Sequence, residues 1–163
     1  MAAKAGSVHA CYRRSAEMLS VSELFQRTSL EMRGPVPWGD PVTETSSGVY
    51  VIALVDPTAN FAEKLSETEL TRWNEGEEII YIGKATKLRR RISQFYRHKY
   101  GRSSPHRGGQ DILLLTPSFQ IYWATAPDCA AAEHAMIDAF QQQIRALPFG
   151  NRMRGARKNL HTI

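Results

Sequence analysis

The chain has 163 residues, 42% of them apolar and 23% charged, which suits a single globular domain with a buried core. Its formal net charge of +5 favours an anionic partner without identifying one. The longest apolar run, from Val49 to Val55, is far shorter than the roughly 20 residues that a transmembrane helix needs, which argues against a membrane span.

Other features argue against further classes of protein. The first residues contain no apolar segment typical of a secretion signal, so we expect a cytoplasmic protein without a membrane partner. The two cysteines, Cys11 and Cys129, form no CxxC or Cys/His spacing, which argues against a structural zinc site and redox chemistry. The GK pair at 83–84 resembles the end of a Walker A loop, but Glu78 and Ala85 replace its required Gly and Ser/Thr.

The first elements are predicted from capping and turn residues. An amphipathic helix is predicted over 21–31, with Ser20 or Ser22 as its N-cap. The glycines and prolines between 34 and 41 predict an extended, turn-rich connector. We therefore predict that this part of the chain contributes no strand to the sheet.

The centre of the chain alternates between strands and helices. Residues 48–55 (GVYVIALV) are rich in β-branched side chains and predict a buried strand. An acidic helix is predicted over 61–73 and a second strand over 78–83. A basic helix is predicted over 86–98, a Gly/Ser/Pro loop over 101–109 and a short apolar segment over 112–115. A third strand over 119–124 is followed by a long helix over 129–145. This order predicts a mixed α/β (α+β) fold, with a small three-stranded, mainly antiparallel sheet flanked by helices.

We divide the chain into three parts. Residues 1–45 form an N-terminal arm, of which 1–20 are predicted to be poorly ordered or to become ordered by docking. Residues 46–153 form the main domain, and 154–163 form a basic C-terminal tail.

Charge is unevenly distributed along the sequence. Between Lys84 and Gln110 there are nine Lys or Arg residues and no acid. Between Asp56 and Glu78 there are seven acids and two bases. The stretch from Arg145 onward is again free of acids. Two basic segments would suit a groove for a polyphosphate backbone, and two solvated surfaces are the alternative.

Two charged residues fall on apolar helix faces. Glu133 shares the apolar stripe of the last predicted helix with Met136, and Arg91 lies between Leu88 and Phe95 on the face of the basic helix. Burying a charge is costly unless it is paired or holds a metal, so both positions indicate a site. The alternatives are a half-exposed carboxylate near a helix start, a snorkelling arginine, and a structural Glu133–Arg91 ion pair.

Five elements of the chain resemble, in type and order, the motifs of the GIY-YIG nuclease superfamily: Gly48-Val49-Tyr50, Tyr81-Ile82-Gly83-Lys84, Arg91, Glu133 and Asn151. The segment 81–92 is similar to the N-terminal nuclease domain of bacterial excision-repair endonucleases, and the resemblance covers about 46–153. The chain departs from the pattern by GVY in place of GIY and by the inserted acidic helix. Phe95 also stands where many members carry a His or Tyr of the catalytic site. His98 or His106 could substitute for that residue, and the alternative is that each is a surface or structural histidine.

The resemblance implies a metal-dependent DNA endonuclease that leaves a 5′ phosphate and a 3′ hydroxyl. One Mg²⁺ or Mn²⁺ ion per active site would bind Glu133 and polarise the scissile phosphate. Arg91 and Lys84 would stabilise the phosphate, and Tyr50 would act as general base, with Tyr81 assisting or sharing that role. A free tyrosine is only about 0.1% ionised at pH 7, so this role requires a lowered pKa.

The predicted partner is double-stranded or branched DNA, bound by a monomer or homodimer. The residues predicted to contact the nucleic acid are Lys87, Arg89, Arg90, Arg97, Lys99, Arg102, His106, Arg107, Asn151 and Arg152. The alternative function is a non-catalytic nucleic-acid-binding module on the same scaffold.

Overall fold

A computed structural model of the chain describes residues 18–106, 108–115 and 118–152. The predictions for residues 1–17, Arg107 and the basic tail lie outside these ranges. The strands are β1 (Arg33–Pro37), β2 (Gly48–Leu54), β3 (Ile79–Ala85) and β4 (Phe119–Thr125). The α-helices are α1 (Val21–Arg27), α2 (Glu67–Leu70), α3 (Leu88–Tyr96) and α4 (Cys129–Ile144). Single 3₁₀ turns cover Ala62–Lys64 and Gln110–Leu114.

The strands form one antiparallel sheet in the order β1-β4-β2-β3. The predicted α+β class and antiparallel pairing are confirmed, but the predicted number of three strands is wrong. The fourth strand, β1, lies in the segment predicted as a connector and pairs with β4 from Arg33↔Trp123 to Pro37↔Gln120. An edge strand tolerates proline because its outer backbone groups pair with no strand, so the prolines did not exclude β structure here.

The helix boundaries also differ from the prediction. The single acidic helix predicted over 61–73 is not formed. This segment contains a 3₁₀ turn and the four-residue α2, and the extended residue Leu65 (φ −107°, ψ 142°) lies between them. Ser66 then starts α2 with its own capping box. Helix α1 ends at Arg27 rather than near residue 31. Of the two predicted N-cap candidates, Ser20 and Ser22, Ser20 caps the helix and forms a capping box with Glu23.

The sheet separates two apolar clusters. Helices α1 and α4 cover the face that carries Val49, Val51 and Ile82. Helix α3 and the segment 110–115 cover the face that carries Tyr50 and Tyr81. Strand β2 lies in the middle of the sheet, and all seven of its residues are buried. No helix in the described part of the chain has the length and apolar character needed to cross a membrane.

A buried carboxylate connects three distant segments on the α3 face. Asp111 is 1% exposed and accepts two hydrogen bonds from Arg152, of 2.7 and 2.6 Å. Arg72 lies 3.1 Å from the same carboxylate and donates a second bond to the carbonyl of Phe149. Burial raises the pKa of Asp111, but the two guanidinium groups outweigh it and hold the pKa below its ordinary value.

We expect Asp111→Asn to lower the free energy of unfolding at neutral pH by about 2 kcal/mol, because it removes the charge from a buried carboxylate that two guanidinium groups contact. The folded-state pKa is depressed, so the stabilisation is present above the unfolded pKa of about 3.9 and is lost as pH falls through the folded pKa. Urea unfolding at several pH values measures this difference. Glu67→Gln, an exposed change on α2, serves as the control, and an equal loss in both variants at neutral pH would contradict the prediction.

Candidate active site

An open cleft of about 550 Å³ lies beside the edge strand β3, where the first turns of α3 and α4 approach each other. The predicted site residues that line it are Tyr81, Lys84, Lys87, Arg90, Arg91 and Glu133. Four of the five predicted catalytic residues therefore face one cleft. The fifth, Tyr50, lies behind the cleft wall and is 1% exposed.

The alternation of strand β3 distributes its side chains around the cleft. Tyr81 belongs to the apolar cluster on the α3 face of the sheet, whereas Ile82 belongs to the cluster on the α4 face. Because successive strand residues point to opposite faces, Lys84 shares the α4 face with Ile82. Lys84 thereby meets Glu133 on α4, while Tyr81 meets Arg91 on α3.

Glu133 lies in the second turn of α4 and is paired with Lys84. The Lys84 Nζ atom lies 2.9 Å from Glu133 Oε2, and the two side chains are 38% and 11% exposed. The Glu133–Arg91 ion pair, one of the alternatives from the sequence, is not found in the described part of the chain. Glu133 forms its ion pair with Lys84 instead.

Arg91 is the half-buried cation of the cleft. It forms no salt bridge with any carboxylate of the residues that the structure describes. Its neighbours include Tyr50, Tyr81 and His106. Burial raises the pKa of both tyrosines against the opposing effect of the Arg91 charge, and it lowers the pKa of His106 together with that charge. A partly desolvated guanidinium without a counter-ion favours the binding of an anion from outside.

Tyr50 and Tyr81 form a contacting pair on neighbouring strands, with ring centroids 5.9 Å apart and planes inclined by 53°. Gly83, opposite Tyr50 in the register, leaves the room for this contact. A Cβ atom on Gly83 would lie 2.5 Å from Tyr50 Cζ and 2.7 Å from its hydroxyl oxygen. The glycine of the YIG segment is therefore required by the tyrosine of the GVY segment.

Burial makes both tyrosines weaker acids. It raises the pKa of Tyr50 well above the ordinary value of 10.0, against the opposing effect of Arg91. It raises the pKa of Tyr81 to about 12. The lowered pKa that the sequence-derived mechanism requires is therefore absent from this state, because desolvation outweighs the nearby guanidinium. The Tyr50 hydroxyl also has no well-formed hydrogen bond among the described residues.

The predicted nucleic-acid contacts divide into exposed and buried residues. Exposed side chains are Lys87, Arg89, Arg90, Arg97, Lys99, Arg102 and Arg152, although Arg152 is also bonded to Asp111. His106 and Asn151 are instead buried, so neither presents its side chain to a nucleic acid in this conformation.

Each of these two buried residues has an internal role. The His106 ring stacks on Phe95 at 3.9 Å, and burial lowers the pKa of His106 to about 3, which keeps it neutral. Asn151 bonds both backbone groups of Ile82, at 3.0 and 2.8 Å, in the manner of an additional strand pair. His106 and Asn151 therefore shape the cleft wall from inside. His98 was the other residue suggested to replace the His or Tyr that is absent at position 95. It is also buried, and it accepts a hydrogen bond from the backbone N–H of His106.

Four further residues that line the cleft were not predicted as site residues, namely Ala85, Thr86, Gln94 and Cys129. The one with a reactive side chain is Cys129, which is partly exposed at the start of α4. Its position four residues before Glu133 places it on the same helix face, and this spacing was visible in the sequence.

Comparison of the chain with models of protein families, with curated proteins and with solved structures gives no match. The resemblance to GIY-YIG nucleases therefore rests on the residues and their arrangement alone.

Proposed function

We propose that the protein is a metal-dependent DNA endonuclease of the GIY-YIG type, which hydrolyses phosphodiester bonds. The observation that supports this best is that a cation and a carboxylate face the same cleft. Arg91, a half-buried cation without a carboxylate partner among the described residues, faces the same space as Glu133, a nearly buried carboxylate. Phosphoryl transfer requires both an anion-binding cation and a carboxylate that can hold a metal.

The charge of the cleft supports a polyanionic substrate. Among the described residues, four bases and one acid line it, namely Lys84, Lys87, Arg90, Arg91 and Glu133. Exposed basic residues continue from the cleft along α3 and the following loop, namely Arg89, Arg97, Lys99 and Arg102. Such a surface releases condensed counter-ions from DNA, and its affinity for DNA falls steeply with salt.

The residues present fit a single divalent ion. The described residues contain no group of three or more His, Cys, Asp or Glu side chains that could hold a metal. Glu133 would be the anchor, and its carboxylate already holds one cation, the Lys84 ammonium. Mg²⁺ retains several waters and needs only one or two carboxylates, which matches this donor set. When bound, the ion would supply Lewis-acid polarisation of the scissile phosphate.

The protein side chains would perform the remaining steps. Arg91 would bind a nonbridging phosphate oxygen and neutralise the charge that develops there. Tyr81, on the cleft wall, would accept the proton of the attacking water, with Tyr50 in contact behind it. In this assignment Tyr81 is the general base, because it faces the cleft, and Tyr50 assists it. The resemblance predicted the reverse, with Tyr50 as the base and Tyr81 assisting.

We expect Tyr81→Phe to lower kcat by about 100-fold, because it removes the proton acceptor and keeps the ring. The pKa of Tyr81 is raised to about 12, so the base form becomes more abundant as pH rises from neutral to alkaline. The wild-type rate should therefore increase with pH over this range, and the increase should disappear in Tyr81→Phe. Rates measured as a function of pH test this prediction.

Two further variants complete that comparison. Tyr100→Phe changes an exposed tyrosine outside the cleft and should leave the pH profile unchanged. A larger loss in Tyr50→Phe than in Tyr81→Phe would contradict the assignment and return the base to Tyr50.

The experiment that tests the function is conversion of supercoiled plasmid to nicked or linear form by the purified protein, in Mg²⁺ or in EDTA. Metal-dependent cutting supports the nuclease, and linear product would indicate cleavage of both strands, by a homodimer or by sequential nicking. Discrete fragments would add sequence specificity. Tight, salt-sensitive DNA binding without cutting, on plasmid and on branched DNA, would instead support the binding module, which the raised tyrosine pKa values favour.

A further inference from the structure

The contact between Lys84 and Glu133 places an ammonium group on the carboxylate proposed to hold the metal. The Nζ–Oε2 distance of 2.9 Å is that of a direct, hydrogen-bonded ion pair. The lysine comes from β3 and the glutamate from α4, so the pair is not imposed by neighbouring positions in one element. Glu133 has no other salt bridge among the residues that the structure describes.

The two partners differ in their freedom to move. The Glu133 side chain is 11% exposed and is fixed on a 16-residue helix. The Lys84 side chain is 38% exposed, and its ammonium ends a flexible four-carbon stem. Lys84 can therefore leave the carboxylate for solvent without unfolding any element, whereas Glu133 stays in place.

We propose that Lys84 occupies the cation position of Glu133 in the metal-free protein and is displaced by the incoming divalent ion. Lys84 thereby sets the cation affinity of the site. The inference rests on the proposed function, which assigns the metal to Glu133. The ammonium end of the pair is 38% exposed, so water solvates the released ammonium, and an ion of twice the charge attracts the carboxylate more strongly.

Displacement also couples the metal to the substrate. Once released, the ammonium remains at a cleft that it shares with Arg91 and becomes available to a phosphate. The bound ion and the freed lysine both make the cleft more attractive to DNA. By linkage, DNA in the cleft strengthens metal binding by the same factor.

The test is the affinity of the full chain for Mn²⁺ alone, measured by calorimetry in the absence of DNA. We expect Lys84→Met to bind Mn²⁺ about 5-fold more tightly than the wild type, because no ion pair opposes binding. Lys84→Arg should bind it more weakly, since a guanidinium can hold the carboxylate with two bonds. The matched control is Lys87→Met, which removes the same charge from the same cleft without touching Glu133.

The outcomes separate this inference from the proposed function. Tighter binding in Lys84→Met than in Lys87→Met, with Lys84→Arg weaker than the wild type, supports displacement. Equal affinities in Lys84→Met and Lys87→Met overturn it, because the effect would then be one of overall charge. Unchanged Mn²⁺ binding in Glu133→Gln overturns the metal anchor of the proposed function itself.

Discussion

Glutamine in place of Glu133 is expected to reduce the rate of DNA cleavage in Mg²⁺ on the order of 10³-fold, which corresponds to about 4 kcal/mol of transition-state stabilisation. Glutamine has nearly the same shape as glutamate, but it lacks the charge that a divalent ion requires. No other acid among the residues that the structure describes lines the cleft, so none of these can replace the lost ligand. Single-turnover cleavage at saturating enzyme measures the chemical step.

The same variant should retain its fold and its affinity for DNA. Its loss of a negative charge and of the Lys84 partner makes the cleft more positive, so binding in EDTA should be equal or tighter. Glu67→Gln, at an exposed position of α2, is the matched control and should cleave at the wild-type rate. Cleavage by Glu133→Gln at more than a tenth of the wild-type rate would place the catalytic metal elsewhere.

Alanine in place of Arg91 is expected to lower kcat by about 10²- to 10³-fold, the effect typical of removing one donor to the developing oxyanion. The guanidinium is half-buried, so its attraction for a phosphate oxygen is screened less than that of a surface lysine or arginine. Arg91→Lys should recover part of the rate, because it restores the charge without the second donor. Single-turnover rates and binding constants together separate kcat from substrate affinity.

Arg90 provides the comparison on the same helix. It lines the same cleft, but its side chain is exposed. Arg90→Ala should therefore weaken DNA binding and reduce its salt dependence while leaving the single-turnover rate within a few-fold of the wild type. Equal kcat losses for Arg90→Ala and Arg91→Ala would show that the helix contributes only overall charge and would remove the catalytic role of Arg91.

The elements with strong local patterns could be predicted from the sequence. The β-branched run at 48–55 forms β2. The two segments whose apolar faces include Arg91 and Glu133 form α3 and α4. The Ser20 cap followed from local hydrogen-bonding preference. The sequence also indicated that Arg91 and Glu133 belong to a site, because a charge on an apolar helix face is costly unless it is paired or binds a ligand.

Contacts between distant segments decided the rest. Strand β1 exists because β4 offers it a free edge, and no local pattern in a Gly/Pro-rich segment reports a partner almost 90 residues away. The pairing of Lys84 with Glu133 likewise depends on how α4 packs on β3. The burial of His106 and Asn151 depends on contacts with residues that are distant in the sequence, such as Tyr81 and Ile82. The tyrosine pKa values rise for the same reason, since desolvation is a property of the packed environment rather than of the residue. Periodicity and capping act over a few residues and are written in the sequence, whereas pairing, burial and electrostatics arise only when distant residues meet in the folded chain.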